Sequence, residues 1–438
     1  MKVQRILLLA LLILVTLAAC SPGHLGSNEI AFVRSGQLWT IDPDGANALA
    51  IVADGPPVVG YSWSPNHQIV TFRTLDADFA RTAAARQLNS DAGLIGDVPS
   101  ALNTVGVDGG TPITIAFSSP SVRYSNPIWN ASGTRLVYRQ TGTSNPPSPD
   151  QASWVVSQSD QPGGIAAKVL PGTYAIPSFS YNTQKVLGIS RSGIFTTTIA
   201  GTQEHYITGS LPGHPLPASL ERVLWQPGHQ DTHILYAVST QKATGTYTPT
   251  VELMLRAMDG QTTPLTTCAC TQFAWSPDGN EVLYSTGASY TVLDISSGAT
   301  FSVAAEEGSV PYWSPDSKSL LLDGTHTLAL VQIAGRQQKV LLSDDSAGSD
   351  KTFPFVPTVT TLLQPAANSP WAADSRHFLF LTHNRLSWQG KQLSADKGLY
   401  TVAIDANGQV QGAPAIVDPG NDAQAGWSYQ DANTSFLF

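Results

Sequence analysis

The densest run of oxygen donors in the chain is Asp42-Pro43-Asp44-Gly45-Ala46-Asn47, a spacing that suits a hard cation such as calcium. The distal glutamate of a calcium loop is missing, because Ala53 stands at the twelfth position. Related stretches recur with other side chains at Val107-Asp108-Gly109-Gly110, Met258-Asp259-Gly260 and Ile404-Asp405-Ala406-Asn407-Gly408. All four are therefore expected to be structural turns, with aspartate bonding back to nearby amides. His229 and His233 stand four apart, the spacing of paired zinc ligands on a helix, but Pro227, Gly228, Gln230 and Asp231 around them read as a turn. A hydrolase elbow needs Gly-x-Ser-x-Gly, and Gly188-Ile189-Ser190-Arg191-Ser192 lacks the last glycine. Asp278, Asp316 and Asp374 occupy matching repeat positions and read as turn formers, not as an acid–base pair. No catalytic residue, metal ligand set or cofactor is predicted.

Three cysteines remain to be placed. An exported chain could join Cys268 and Cys270 in a local disulfide. Residues i and i+2 of a regular strand lie about 7 Å apart, the outer limit for a disulfide, so two buried thiols on one strand face are the alternative. Two ligands do not make a zinc cage. Cys20 has a different context. Lys2 and Arg5 precede an apolar run from Ile6 to Leu17, which at 12 residues is too short for a membrane-spanning helix of about 20. Leu17-Ala18-Ala19-Cys20 resembles the bacterial lipobox, which implies a signal peptide over 1–19, acylation of Cys20 and a flexible tether over 20–27. Anchoring at the outer face of the cell membrane, or in the periplasm or outer membrane of a two-membrane cell, is the expected address. Ser21 departs from the aspartate that retains some lipoproteins at an inner membrane.

Removing residues 1–19 takes Lys2 and Arg5 from 23 basic residues, leaving 21 against 32 acidic ones, a net charge of −11 without any basic block. Nucleic acid is excluded as an expected partner, since phosphate recognition draws on clustered Lys and Arg. Only 13% of residues are charged, and 37 Gly and 30 Pro punctuate the chain, so strands and turns dominate.

The elements that must position any site are set by a repeat. Trp63-Ser64-Pro65-Asn66, Trp275-Ser276-Pro277-Asp278-Gly279 and Trp313-Ser314-Pro315-Asp316-Ser317 share one signature. Degenerate copies start at Trp129, Phe179, Trp225, Trp371 and Trp427, at intervals of 66, 50, 46, 50, 38, 58 and 56 residues. One cycle reads as four strands: Gln272–Ser276, Glu281–Ser285, Tyr290–Ile295 and Thr300–Ala304, each bounded by Gly, Pro, Asp or Ser. Such units bury their faces only against neighbours, and radial closure protects their edges. The expected fold is all-β, a single β-propeller of four-stranded blades over 28–438, with the aromatic residues filling the space between sheets. Eight blades are expected, with seven as the alternative, because Ile30–Val33 and Phe436–Phe438 compete for one strand slot. In either count the C-terminal strands complete the blade begun by 28–52, a Velcro closure. Insertions are expected near 75–99, where Asp78–Leu88 has helical composition, near 141–153 and near 343–369.

Aromatic-Ser-Pro-Asp-Gly, a short apolar strand, and a third strand ending in Asp-x-x-Gly together resemble the TolB-type propeller repeat, best over Ser62–Phe72, Phe273–Ile295 and Pro311–Ile333. The resemblance covers the propeller alone, since the α/β domain that precedes it in TolB is missing. It implies a WD-repeat-like scaffold. The function expected is a membrane-tethered binding module presenting its loop face to a protein or glycan. The alternative is an exported carbohydrate-active lyase or hydrolase with its site in the channel.

Overall fold

The Ser-Pro-Asp signature closes a tight turn between the first two strands of each repeat. Ser276 Oγ donates to Asp278 Oδ1 at 2.7 Å and accepts from the Glu281 amide at 2.9 Å. Ser314 does the same with Asp316 and Ser319, and Ser64 with Asn66 and Ile69. The fourth turn position is left-handed, with φ of 58° at His67, 59° at Ser317 and 56° at Ser375. These residues then reach the preceding repeat. Ser317 Oγ accepts from the Asp278 amide at 3.0 Å, and Ser375 Oγ from the Asp316 amide at 2.9 Å. His67 Nδ1 lies 2.5 Å from the Ser428 carbonyl oxygen. Neighbouring turns are thereby linked one to the next around the molecule.

The protein, seen here in a computed structural model, is described over residues 29–82, 98–142, 153–161, 168–170, 177–180, 184–199, 204–209, 211, 216, 220, 222–228, 232–240, 250–285, 289–305, 309–323, 327–343, 351–352, 369–382, 387–388, 391–393, 398–420 and 422–429. Eight antiparallel sheets form a ring of eight blades, a β-propeller. Blade one is Val58–Trp63, Ile69–Leu75, Ser100–Gly106 and Gly109–Ala116. Blade five is Phe273–Trp275, Glu281–Ser285, Ser289–Asp294 and Thr300–Ala304, within two residues of the sequence-based boundaries. Blade eight joins the ends of the chain, with Ala423–Trp427 as its inner strand, followed by Ile30–Arg34, Gln37–Ile41 and Leu49–Val52.

Each interface between blades holds one apolar cluster, and each cluster holds one signature aromatic residue. Trp63 packs between blades eight and one, Trp129 between one and two, and Phe179 between two and three. Trp225, Trp275 and Trp313 serve the next three interfaces, Trp371 the one between six and seven, and Trp427 the one between seven and eight. A flat ring at the end of an inner strand can touch both sheets at once, which is why this one residue type recurs.

The Velcro closure is present: Ala423–Trp427 is the C-terminal strand that completes the blade begun by residues 28–52, and Phe436–Phe438 lie outside the described residues. Ile30–Arg34 takes the contested slot, pairing Ile30 with Trp427, so the seven-blade alternative fails. In the first insertion a 3-10 turn over Phe79–Arg81 is described, preceded by Asp76, whose Oδ1 accepts from the Asp78 and Phe79 amides; residues 83–88 of the helical candidate Asp78–Leu88 lie outside the described residues. In the third insertion, Lys351–Thr352 pairs with Leu381 and Thr382 as part of the inner edge of blade seven. A hairpin from blade seven, Ser387–Trp388 and Lys391–Gln392, adds to the outer strand Gln337–Ser343 of blade six and covers part of its edge.

Ring closure has a polar pin. Tyr61 of blade one is fully buried, and its single O–H faces two carbonyl oxygens of blade eight, Ala31 at 2.6 Å and Gln424 at 2.5 Å. One acceptor belongs to the N-terminal strand and the other to the C-terminal strand. Tyr61→Phe is expected to cost about 1–3 kcal/mol, the penalty for leaving buried carbonyls without their donor. Urea denaturation would measure this, with Tyr400→Phe as a buried control elsewhere in the ring.

Candidate functional site

Strand direction alternates within each blade, so the ring has two unlike faces. Connections from first to second and third to fourth strands share one face, here the turn face. Apart from 159–167 and the 353–376 stretch of blade seven, none of them exceeds seven residues. Connections from second to third strands, and from one blade to the next, share the opposite face. The first two insertions open there, since 76–99 and 142–152 leave second strands; of the third, 344–350 runs from blade six to blade seven, and 353–368, which follows Thr352 of the inner edge of blade seven, lies outside the described residues. The second-to-third connections of blades four and seven open there too.

The strand ends beneath the insertions carry polar side chains that are nevertheless buried. Arg73, at the end of the second strand of blade one, is fully buried. Its Nε donates to Asn126 Oδ1 and its Nη1 to the Tyr124 carbonyl, both at 2.8 Å, tying blade one to the split inner strand of blade two. Gly60 makes room for this group, since a Cβ there would lie 2.7 Å from Asn126 Oδ1 and 2.9 Å from Arg73 Nη2. Arg222 opens the inner strand of blade four, lies over the Phe273 ring of blade five at 5.8 Å, and is lowered to a pKa of about 9 by burial. Between blades five and six, Gln272 Nε2 donates to the Tyr290 hydroxyl at 2.9 Å, and that hydroxyl donates to the Ser309 carbonyl. Tyr312 is buried beside Asp323, and burial together with that carboxylate raises its phenol well above the ordinary value.

At the closure, Arg34 of the N-terminal strand bridges Asp418 and Asp422, bonding Asp422 Oδ1 at 2.8 Å. Its guanidinium also lies over the Phe32 and Trp39 rings, at 4.9 and 5.5 Å. Gly420 permits this approach, because a Cβ would sit 2.5 Å from Asp418 Oδ1. Burial raises Asp422 to a pKa of about 6 against the pull of Arg34. These contacts brace strand ends against one another, giving the insertions a rigid rim rich in donors and acceptors.

The residues singled out from sequence are distributed, not convergent. The eight aromatic residues stand one to each interface. Asp42, Asp278, Asp316 and Asp374 all lie on the turn face. The Asp42 segment is a turn: the Asp42 amide donates to the Ala46 carbonyl, Asp44 Oδ1 accepts from the Ala46 amide, and Asn47 Nδ2 donates to Asp42 Oδ2. Among the described residues no group of three or more His, Cys, Asp or Glu is placed to hold a metal ion. His229 lies outside the described residues, and His233 Nδ1 is 2.9 Å from Thr232 Oγ1. Cys268 and Cys270 are joined in the structure with Cα atoms 5.1 Å apart. The strand Thr262–Cys268 ends at the first cysteine, which releases the pair from extended spacing. Cys20 lies outside the described residues. The buried Arg73, Arg222 and Asp323 were not foreseen. Their signal was a charge at the end of an apolar strand, as in Ile69–Leu75 and Ser319–Asp323.

No protein-family model matches the chain, and no curated protein matches it in sequence. Solved structures do match. A eukaryotic initiation factor structure covers 93% of this chain and 100% of its own, at a TM-score of 0.53 and 10% identity. An oligogalacturonate lyase in complex with manganese covers 65% of this chain and 78% of its own, with a TM-score of 0.44 and 13% identity. TolB from Acinetobacter baumannii covers 90% and 79%, with a TM-score of 0.32 and 12% identity. The likeness is one of fold. No family match supports the TolB-type assignment of the repeat, and the propeller fold hosts scaffolds and enzymes alike.

Proposed function

We propose that the protein is a lipid-anchored extracytoplasmic propeller that binds a macromolecular partner, protein or glycan, through its insertion face. One observation carries the reading: the long connections 76–99, 142–152, 240–250 and 383–397 all open on the same face of a closed ring, above a rim of buried, cross-bonded side chains. Long connections on a rigid scaffold are where binding surfaces concentrate. The turn face, by contrast, spends its polar groups on its own hairpins. The anchor rests on Leu17-Ala18-Ala19-Cys20 and the short apolar run before it.

Crosslinking and pull-down from membranes tests both parts. The intact protein is expected in the membrane fraction with a crosslinked partner, and Cys20→Ser in the soluble fraction. Replacing 83–97 with a short Gly-Ser linker is expected to abolish the crosslink while leaving the thermal midpoint within about 2 °C, since loop insertions contribute little to stability. Turnover of a glycan with no co-purifying partner would favour the lyase or hydrolase reading instead.

A further inference from the structure

The first described residue fixes where any N-terminal tether leaves the propeller. The Ser428 amide donates to the Glu29 carbonyl at 2.8 Å, and the Glu29 amide donates to Ser428 Oγ at 3.3 Å. Ser428 follows Trp427, the last residue of the closing inner strand, and so stands at the turn-face end of that strand. The next residue, Ile30, begins the second strand of blade eight opposite Trp427. The chain therefore enters at the turn face, two strands in from the rim, and the insertions open on the far side of the ring.

We infer that the turn face looks toward the membrane and the insertion face points away from it, into the extracytoplasmic space. The inference rests on the lipid-anchor reading of Cys20. Residues 21–28 span at most about 30 Å even when fully extended. To bring the insertion face to the bilayer, this stem would cross the two outer strands of its blade, about 10 Å at 4.8 Å per strand, and then run the depth of a blade. That depth is about 17 Å for the five-residue strands of blade eight, Ile30–Arg34 and Gln37–Ile41. Such a path takes up nearly the whole extended length of the stem before side chains on the rim are counted, whereas the turn face reaches the bilayer with the stem slack, so the tether favours the turn face toward the membrane.

Charge sets the standoff and not the orientation, which the tether fixes. The turn-face connections carry Asp42, Asp44, Asp108, Asp259, Asp278 and Asp316, with Lys318, Arg336 and Arg376 among them. An anionic bilayer surface repels such a face. The propeller would stand off on an extended stem, holding its insertions at the greatest reach from the surface. The partner is then one met outside the bilayer, a soluble or surface-borne protein or glycan, not a lipid headgroup or a membrane-embedded chain.

The test uses the lipidated full-length protein in vesicles whose lipid headgroups carry an energy-transfer acceptor. A donor dye is attached through Ala46→Cys, exposed on the turn face in blade eight, or through Ser118→Cys, exposed on the insertion face between blades one and two. Transfer from position 46 is expected to be at least twice that from position 118. Equal transfer, or the reverse order, from protein that floats with the vesicles would overturn the orientation while leaving the anchor intact. Failure of the protein to float, or flotation of Cys20→Ser as well, would overturn the anchor reading and the orientation with it.

Discussion

Trp275→Ala is expected to destabilise the propeller by about 3–5 kcal/mol, the range for truncating a large buried aromatic residue. Trp275 is fully buried and packs with Leu224, Leu235, Phe273 and Val282, contacts that belong to blades four and five together. Truncation would leave a void that neither sheet can fill alone, because each is held by its own ladder and by its other neighbour. The indole nitrogen adds little at this position, since its N–H has no hydrogen-bond partner among the described residues. Trp275→Phe is therefore expected to cost less than half as much. Trp371 provides the contrast, as its Nε1 donates to the Tyr312 carbonyl of blade six at 3.0 Å. Trp371→Phe should exceed Trp275→Phe by about 1 kcal/mol, the net worth of a buried hydrogen bond. Urea midpoints of the three variants decide this. Equal losses for the two Phe variants would refute the role given to the Trp371 indole.

What could be read from sequence was what depends on short-range bonds. The Ser276–Asp278–Glu281 turn closes within five residues, so its residue types announce it, and eight copies of the aromatic signature before it imply eight blades. The closure was foreseen in kind but not in detail. Whether Ile30–Arg34 or Phe436–Phe438 fills the second slot depends on pairing with Ala423–Trp427 almost 400 residues away, which no local pattern encodes. The hairpin at Ser387–Gln392 was missed for a similar reason, because it pairs with a strand of the neighbouring blade. Arg73 and Arg222 were missed because a charge in a strand usually marks a solvent face, whereas here a neighbouring blade supplies carbonyls or an aromatic ring.

The two-faced ring was legible only once the strands had been ordered. The insertions were visible as intervals longer than a blade requires, but their spacing says nothing of direction. Strand alternation brings 76–99, 142–152 and the 344–350 segment between blades six and seven onto one face, although they lie up to about 270 residues apart. A binding surface assembled this way is non-local in sequence, and motif reading finds the hinges of the scaffold before it finds the surface.

Stability is expected to be greatest in acid, near about pH 4, and to decline toward pH 8, because the closing blade holds two carboxyls that keep their protons longer than usual. Glu29 is buried, and its pKa rises from 4.5 to about 8, first by burial and then by repulsion from Asp42 and Asp108. Asp422 rises from 3.8 to about 6 by burial and by Asp418, with Arg34 opposing. A carboxyl raised in the folded state retains a proton that the unfolded chain has released. The folded state then binds more protons, and stability falls as pH rises. For Asp422 the loss runs from about pH 4 to 6, and for Glu29 from about pH 4.5 to 8. The acid limb has the opposite sign. Burial works against the Asp278 carboxylate, but donors from Ser276, Asn280 and Ser317 outweigh it and hold the pKa below 3.8, so its stabilisation is present above that value and lost below it. Thermal midpoints taken between about pH 2 and 9 should trace a dome, with a loss on the order of 2–3 kcal/mol on the alkaline side. Glu29→Gln keeps the neutral form at every pH and should flatten the curve between 6 and 8 while leaving the acid limb unchanged. Asp422→Asn should flatten the interval from 4 to 6, at the cost of one of the two carboxylates that hold Arg34 across the closure. If the wild-type curve is flat between pH 6 and 8, Glu29 is ionised in the folded ring and the closing blade is not the pH-sensitive seam of the propeller.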